Sequence, residues 1–185
     1  MKIILGSKSP RRKALLSELG FSFEIRIKET DESYPNNLPA EDVAEFIAMK
    51  KADALFETLL EDEILICADT TVIIDEQIVG KPKSRNHAIE ILQSLSGRSH
   101  KVITGVVVQS RHKKNAFSVS TCVYFQPLSM EMIQYYIDEY KPYDKAGSYG
   151  IQEWIGSVGV KKIDGSFNNV VGLPTQELYS ILKQF

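Results

Sequence analysis

Apolar and polar positions along the chain sort into short blocks of two periods. Ile3-Ile4-Leu5 reads as a short buried strand. Ser9-Pro10 then opens a helix that Gly20 suits to end, because serine caps well, proline fits the first helical position and glycine the exit. Leu15, Leu16 and Leu19 give that helix its apolar face, and Phe21 to Ile27 follows as a strand. A long helix is predicted from about Pro39 to Leu60, with Val43, Ala44, Ile47, Leu55 and Leu59 on one side. Ile64 to Ala68 is a compact apolar strand, and Thr71 to Val79 a hairpin turning at Asp75-Glu76. Ser84 to Leu95 is helical, with Ala88, Ile91, Leu92 and Leu95 inward and Gly97 as its stop. Val102 to Gln109 and Phe117 to Phe125 are strands separated by Arg111-His112-Lys113-Lys114-Asn115. Ser129 to Tyr140 is a helix, short strands fall near Gly159–Ile163 and Asn169–Val171, and a last helix runs from Pro174 to Lys183.

Helices and strands alternate irregularly, with hairpins among them, which predicts an α/β fold on a mixed sheet. No repeat or low-complexity segment appears. The seams at Tyr34–Asn37 and Lys141–Asp144 are too short for linkers, so residues 1–185 read as a single domain. A chain of this length should fold to a surface of roughly 9,000 Å² and hide about 70% of what it exposes unfolded. With 43% hydrophobic and 25% charged residues, the composition excludes disorder, collagen and a membrane protein. The net charge of −2 excludes nucleic-acid binding through bulk charge, so any anionic partner must be held by local cations. Cys67 and Cys122 lack zinc-type spacing and read as buried free thiols of a reducing compartment. Three apolar residues after Lys2 fall short of the roughly 7–15 of a secretion signal, and no run reaches the roughly 18 of a membrane span. The expected location is the cytoplasm.

The sharpest chemical signal is Ser7-Lys8-Ser9-Pro10-Arg11-Arg12-Lys13, where a strand feeds a helix N-terminus. Free N–H groups and the positive dipole end favour an anion there. Three cations in the first turn oppose that dipole, which makes sense if a polyphosphate offsets them. The alternative is a solvated basic turn. The pattern G-x-x-x-x-G-K-[ST] is absent. Lys51 falls inside the apolar arc of the long helix, so it must snorkel or meet an anion. Asp69 closes the apolar run 64–68, the position of a general base, a metal ligand or a turn aspartate. Lys81 in Gly80-Lys81-Pro82 and Glu32 in an acidic loop are weak candidates alone. In residues 144–152, two glycines and Gln152 suit close approach to a planar ligand, since the amide both donates and accepts. The three histidines make no H-E-x-x-H spacing and no serine sits in a G-x-S-x-G elbow, which disfavours acyl transfer. Trp154 either packs or lies near the site.

Ser7-Lys8-Ser9-Pro10-Arg11-Arg12, Ala68-Asp69-Thr70, Gly80-Lys81-Pro82, the 144–152 segment and Gly172-Leu173-Pro174 together resemble the signature blocks of the Maf family. The blocks stand in family order and span nearly the whole chain. Gly6, where the family usually has alanine, is a mild departure. The resemblance implies an elongated, inosine-triphosphatase-like α/β fold with two lobes around a central cleft, in an enzyme that often forms a homodimer. It implies hydrolysis of dTTP and UTP between the α- and β-phosphates, giving the monophosphate and pyrophosphate with a divalent cation, Mg²⁺ or Mn²⁺. By that resemblance Asp69 is the proton acceptor, and Glu32 with Asp69 forms the metal-binding acidic set. Ser7, Arg11, Arg12, Lys51 and Lys81 line the triphosphate, and Arg12, Thr70 and Gln152 match the specificity positions of the pyrimidine branch.

Two other readings compete. A non-catalytic nucleotide-binding regulator of cell division would keep Arg11, Arg12 and Lys51 but would not need Asp69 with Glu32. A haloacid-dehalogenase-type phosphatase would want a second aspartate where Thr71 stands. Residues 111–114 form a basic hairpin loop, expected to be solvated rather than to bind nucleic acid.

Overall fold

The computed structural model describes residues 2–185. Its strands are β1 (Lys2–Leu5), β2 (Phe23–Ile25), β3 (Glu63–Ile74), β4 (Gln77–Val79), β5 (Ser99–Gln109), β6 (Lys114–Phe125) and β7 (Val160–Asp164). Its helices are α1 (Pro10–Glu18), α2 (Val43–Phe56), α3 (Arg85–Leu95), α4 (Met130–Tyr140), α5 (Trp154–Gly159), α6 (Phe167–Val171) and α7 (Thr175–Leu182). Pairing runs β2-β1-β3-β5-β6-β7, with β4 added to β3. β1 is parallel to β2 and β3, in register Ile3↔Phe23 and Ile4↔Leu65. β4 is antiparallel to β3, and β7 to β6, so the sheet is mixed as expected.

The chain gathers into two compact units. One comprises the residues up to Thr70 with Thr104–Val119 and Gly172–Phe185; the other comprises Thr71–Ile103 and Ser120–Val171. In the first, Ala48, Ala52, Leu55 and Leu59 pack on Ile4, Leu65, Cys67 and Val107. Gly105 makes that packing close, because a Cβ there would overlap the backbone of Ala44 and Glu45. In the second unit α3 and α4 supply Ala88, Leu92, Ile133, Tyr136 and Ile137 to a core shared with Val102, Val123 and Phe125. The folded chain exposes 9184 Å².

The serine-capped helices start where the sequence puts them: Ser9, Ser84 and Ser129 each accept from a backbone N–H of the first turn. Asp75 and Glu76 turn the hairpin with φ of 50° and 62°. Three expectations are corrected. β3 is one continuous strand through residue 74, so Asp69 stands inside it and does not close it. The Asn169–Val171 segment is helical, part of α6. Valine's preference for strands is weak and context-dependent, and in this helix the buried Asn169 amide donates to the Val102 carbonyl at 3.0 Å and to Thr121 Oγ1 at 2.9 Å. Cys122 is half-buried, whereas Cys67 is buried; both are free thiols.

Candidate functional site

The turn after β1 is built around two serines. The Ser9 N–H donates to Ser7 Oγ at 3.2 Å, and Ser9 Oγ caps α1 by accepting from the Arg12 N–H at 3.4 Å. Ser7 is buried. Arg11 lies half-buried in the first helical turn. Arg12 turns inward and spends its guanidinium on the protein. Its Nε donates to the Gly172 carbonyl at 2.8 Å, one terminal nitrogen to the Ala68 carbonyl at 2.9 Å and Ser7 Oγ at 3.4 Å, and the other to Thr70 Oγ1 at 3.0 Å. Thr70 Oγ1 also meets Thr104 Oγ1 at 2.9 Å. Burial pulls the guanidinium below its ordinary value, while the charge of Asp69 works the other way. Arg12 thus ties both neighbours of Asp69 to α1 and to the glycine at residue 172, whose φ is +133°.

Lys51 meets an anion rather than snorkelling. Its Nζ stands 2.6 Å from Asp69 Oδ1 and 2.7 Å from Glu32 Oε1. The Lys51 and Asp69 side chains keep 18% and 17% of their surface, so the pair is shielded yet reachable, while Glu32 is exposed. The packing of α2 on β3 explains the meeting: Leu65, Cys67 and Asp69 alternate onto one face of β3, and Ala48, Lys51, Ala52 and Leu55 face it. Gly6 is bare for the same reason. A Cβ there would overlap Cys67 Sγ and lie 3.0 Å from a Leu55 methyl. Burial pushes the Cys67 thiol up to about 12, so it packs as a small apolar group.

Glu32 and Asp69 thus converge on one ammonium. No group of three His, Cys, Asp or Glu side chains gathers as a metal set among the described residues. Two carboxylates with no third acid are hard oxygen donors of the kind that suit Mg²⁺ or Mn²⁺, which keep waters and take phosphate oxygens for their other positions. The donor set fits such an ion.

The remaining candidates belong to the second unit. Lys81 is exposed and lines a cavity of about 560 Å³ with Lys83, His87 and Arg98. The adjoining Gly80 carbonyl accepts from the Gly147 N–H at 3.2 Å. Gln152 is exposed on a loop entered through left-handed Gly147 and Ser148, with φ of 71° and 58°. Trp154 packs edge-on against Tyr135, with centroids 4.8 Å apart. Sequence reasoning missed what ties this loop. The Gly150 N–H donates to Tyr136 Oη at 2.9 Å, the Tyr136 hydroxyl donates to Glu153 Oε2, and Lys145 Nζ lies 3.2 Å from Glu153 Oε1. Tyr136 falls on the apolar stripe of α4 and reads as core; the only signal was the acid at 153 next to Gln152.

The basic loop at 111–114 is engaged internally. Arg111 donates to the Leu59 carbonyl at 2.8 Å, His112 meets Glu61, Lys113 donates to the Gln184 carbonyl at 2.9 Å, and Lys114 pairs with Asp53. No helix is long and apolar enough to cross a membrane among the described residues.

A family model described as Maf-like protein matches residues 2–185. A dTTP/UTP pyrophosphatase of Parabacteroides distasonis is 51% identical over 185 residues, covering 100% of this chain and 96% of that protein. One from Porphyromonas gingivalis is 50% identical, covering 100% and 94%. One from Flavobacterium psychrophilum is 46% identical, covering 98% and 93%. Among solved structures, the Ham1 protein of Staphylococcus aureus superposes with a TM-score of 0.58 over 100% of this chain and 99% of its own, at 12% identity, a likeness of fold.

Proposed function

The chain belongs to the Maf family, and on that premise we propose that it is a nucleoside triphosphate pyrophosphatase acting on dTTP and UTP. The products are the nucleoside monophosphate and pyrophosphate. The supporting observation is the Lys51 ammonium shared by Asp69 and Glu32, beside a capped helix start carrying Arg11. Relatives named dTTP/UTP pyrophosphatase at about half identity support the substrate class.

Phosphoanhydride hydrolysis is largely positioning and charge neutralisation. Within the first unit, Ser7, the α1 N-terminus, Arg11 and Lys51 supply donors and positive charge to the triphosphate; Lys81 for the triphosphate, and Thr70 and Gln152 for the base, are carried over from the family resemblance. Asp69 accepts the proton of the water that attacks the α-phosphorus, the bond to the bridging oxygen breaks, and pyrophosphate leaves. Lys51 holds the Asp69 carboxylate in place, and Arg12 fixes the backbone on both sides of it. Glu32 and Asp69 would hold the divalent cation, which when bound lowers the charge on the phosphates and the pKa of a bound water. The same reading makes the enzyme a cytoplasmic homodimer.

The test incubates the protein with Mg²⁺ or Mn²⁺ and a panel of nucleoside triphosphates. UMP or dTMP with pyrophosphate is the expected product. Orthophosphate, or binding without turnover, overturns the reading.

A further inference from the structure

Glu32 poses a problem of placement. It sits on the stretch between β2 and a short helical turn at Ala40–Asp42, where no residue from 27 to 39 is buried. An exposed carboxylate on such a loop samples many positions, and the freedom it gives up on taking a cation weakens the site. Lys51 draws it in at 2.7 Å. That ammonium is a poor tether for the loaded state. Once Glu32 and Asp69 hold a cation, their oxygens are committed to it and Lys51 turns to the phosphates. The loop needs a fastening that does not use the Glu32 carboxylate itself.

Lys50, the neighbour of Lys51 on α2, provides one. Its Nζ donates to the Ser33 carbonyl at 2.9 Å and lies 3.3 Å from Asp31 Oδ2. Asp31 in turn closes a tight turn: Oδ1 accepts from the Ser33 N–H at 2.9 Å, and Oδ2 accepts from the Ser33 hydroxyl. Residues 31 and 33 are thus bonded to each other and to one ammonium, and Glu32 is the single residue between them. The ammonium is itself anchored from behind. Ala48, Ala52 and Leu55 seat α2 on β3, and the Phe46 ring, one turn before Lys50, has its centroid 5.9 Å from Nζ. Two adjacent lysines therefore take two adjacent acids. Lys51 holds the Asp69 and Glu32 carboxylates, while Lys50, nearer the edge of the apolar arc, holds the backbone that carries Glu32.

We infer that Lys50, through Asp31 and Ser33, is a positioning residue that presents Glu32 to the divalent cation. This rests on the reading that Glu32 with Asp69 binds that cation. The sign of the effect separates positioning from simple charge. A lysine acting through its field alone repels a nearby cation, so its removal would tighten binding. A lysine that holds the loop does the opposite, and its removal loosens binding.

The test titrates Mn²⁺ alone into the full chain and reads bound metal by loss of the free-ion EPR signal, with thermal unfolding as a check on folding. Lys50→Ala should raise the Mn²⁺ Kd about three- to fivefold, the worth of a partly exposed clip, and Lys50→Arg should bring it back to within about twofold of the wild type. In a Glu32→Gln background Lys50→Ala raises the Kd no further. In UTP hydrolysis the half-saturating Mn²⁺ rises by the same factor in Lys50→Ala, while kcat at saturating metal is nearly kept. Equal or tighter Mn²⁺ binding in Lys50→Ala, with Glu32→Gln loosening it, overturns the clip alone. Unaltered binding in Glu32→Gln overturns the metal reading and the clip with it. A kcat loss in Lys50→Ala that added metal does not restore overturns the positioning role, since it would put Lys50 at the phosphates.

Discussion

Glu63 and Asp69 stand on the same face of β3, each against a cation, yet they are held differently. Glu63 has no exposed surface. Both its oxygens are taken by the Arg26 guanidinium fork at 2.8 Å, Lys2 lies 3.5 Å away, and the Leu60 N–H donates to it at 3.0 Å. The Arg26 bonds hold its carboxyl down at about 2 against the penalty of burial. Asp69 has one point contact to the flexible Lys51 stem and keeps 17% of its surface. A carboxylate locked by a fork has its lone pairs committed to structure. One held by a single ammonium can exchange that partner for a substrate phosphate, a cation or a water. The end of β3 beside Leu60 is fastened, and the stretch around Asp69 is left available for chemistry.

Substituting the two acids separates these roles most sharply. Asp69→Asn should lower turnover by roughly 10²–10⁴-fold, the usual worth of general-base assistance, and leave thermal unfolding nearly unchanged. Glu63→Gln should do the reverse, keeping kcat for UTP while lowering Tm. Steady-state kinetics and calorimetry on the two variants decide it, and comparable kinetic losses in both would dissolve the contrast.

Of this contrast the Asp69 side was legible in part, and the pairing of Glu63 with Arg26 was not. Lys51 stood out by falling in an apolar arc, where a cation must snorkel or meet an anion, and Ser9-Pro10 marked the start of α1. The continuity of β3 was not legible. Asp69-Thr70-Thr71 reads as a polar break, and only neighbouring strands make it strand. Glu32 was a weak candidate because its partner is distant in sequence and the loop carrying it has no period. The Arg12 network was partly hidden for a similar reason, since two of its four acceptors are the backbone carbonyls at residues 68 and 172, and carbonyls leave no trace in residue identity. The helix α6 was misread as a strand; valine's preference for strands is weak and context-dependent, and the Asn169 contacts that accompany the helix are distant in sequence.

Removing Arg26 tests the fastened end directly. Arg26→Ala leaves a fully buried carboxylate with only Lys2 and one N–H, and should cost about 3 kcal/mol, or roughly 10 °C in Tm. Denaturant unfolding measures it. A loss comparable to that of an exposed pair would mean Glu63 finds water or another donor.

Acid gives a smaller effect with a defined sign. Because the folded carboxyl of Glu63 is depressed to about 2 from an ordinary 4.5, its contribution is complete above the ordinary value and is lost as pH falls from about 4.5 toward about 2. Asp31, held at about 2 by Ser33 and Lys50 from an ordinary 3.8, adds its loss only as pH falls below about 3.8. Stability measured between pH 6 and 3 in the wild type and in Glu63→Gln isolates the Glu63 share. The wild type should lose more, and parallel curves would remove Glu63 from the acid response.

The smallest change is also the finest probe of why one cation fastens Glu63 and another only neighbours it. Lys2 approaches Glu63 at 3.5 Å and Glu24 at 3.0 Å, and its side chain keeps 41% of its surface. An ammonium that exposed is screened by water and salt and has three donors in no fixed plane, whereas the Arg26 fork meets both oxygens at once. Lys2→Ala should therefore shift Tm by no more than about 2 °C, a shift that fades as salt is added. A larger, salt-insensitive loss would show that Lys2 shares the buried charge of Glu63 with Arg26, and that proximity alone, without the fork, is enough to hold a carboxylate in this core.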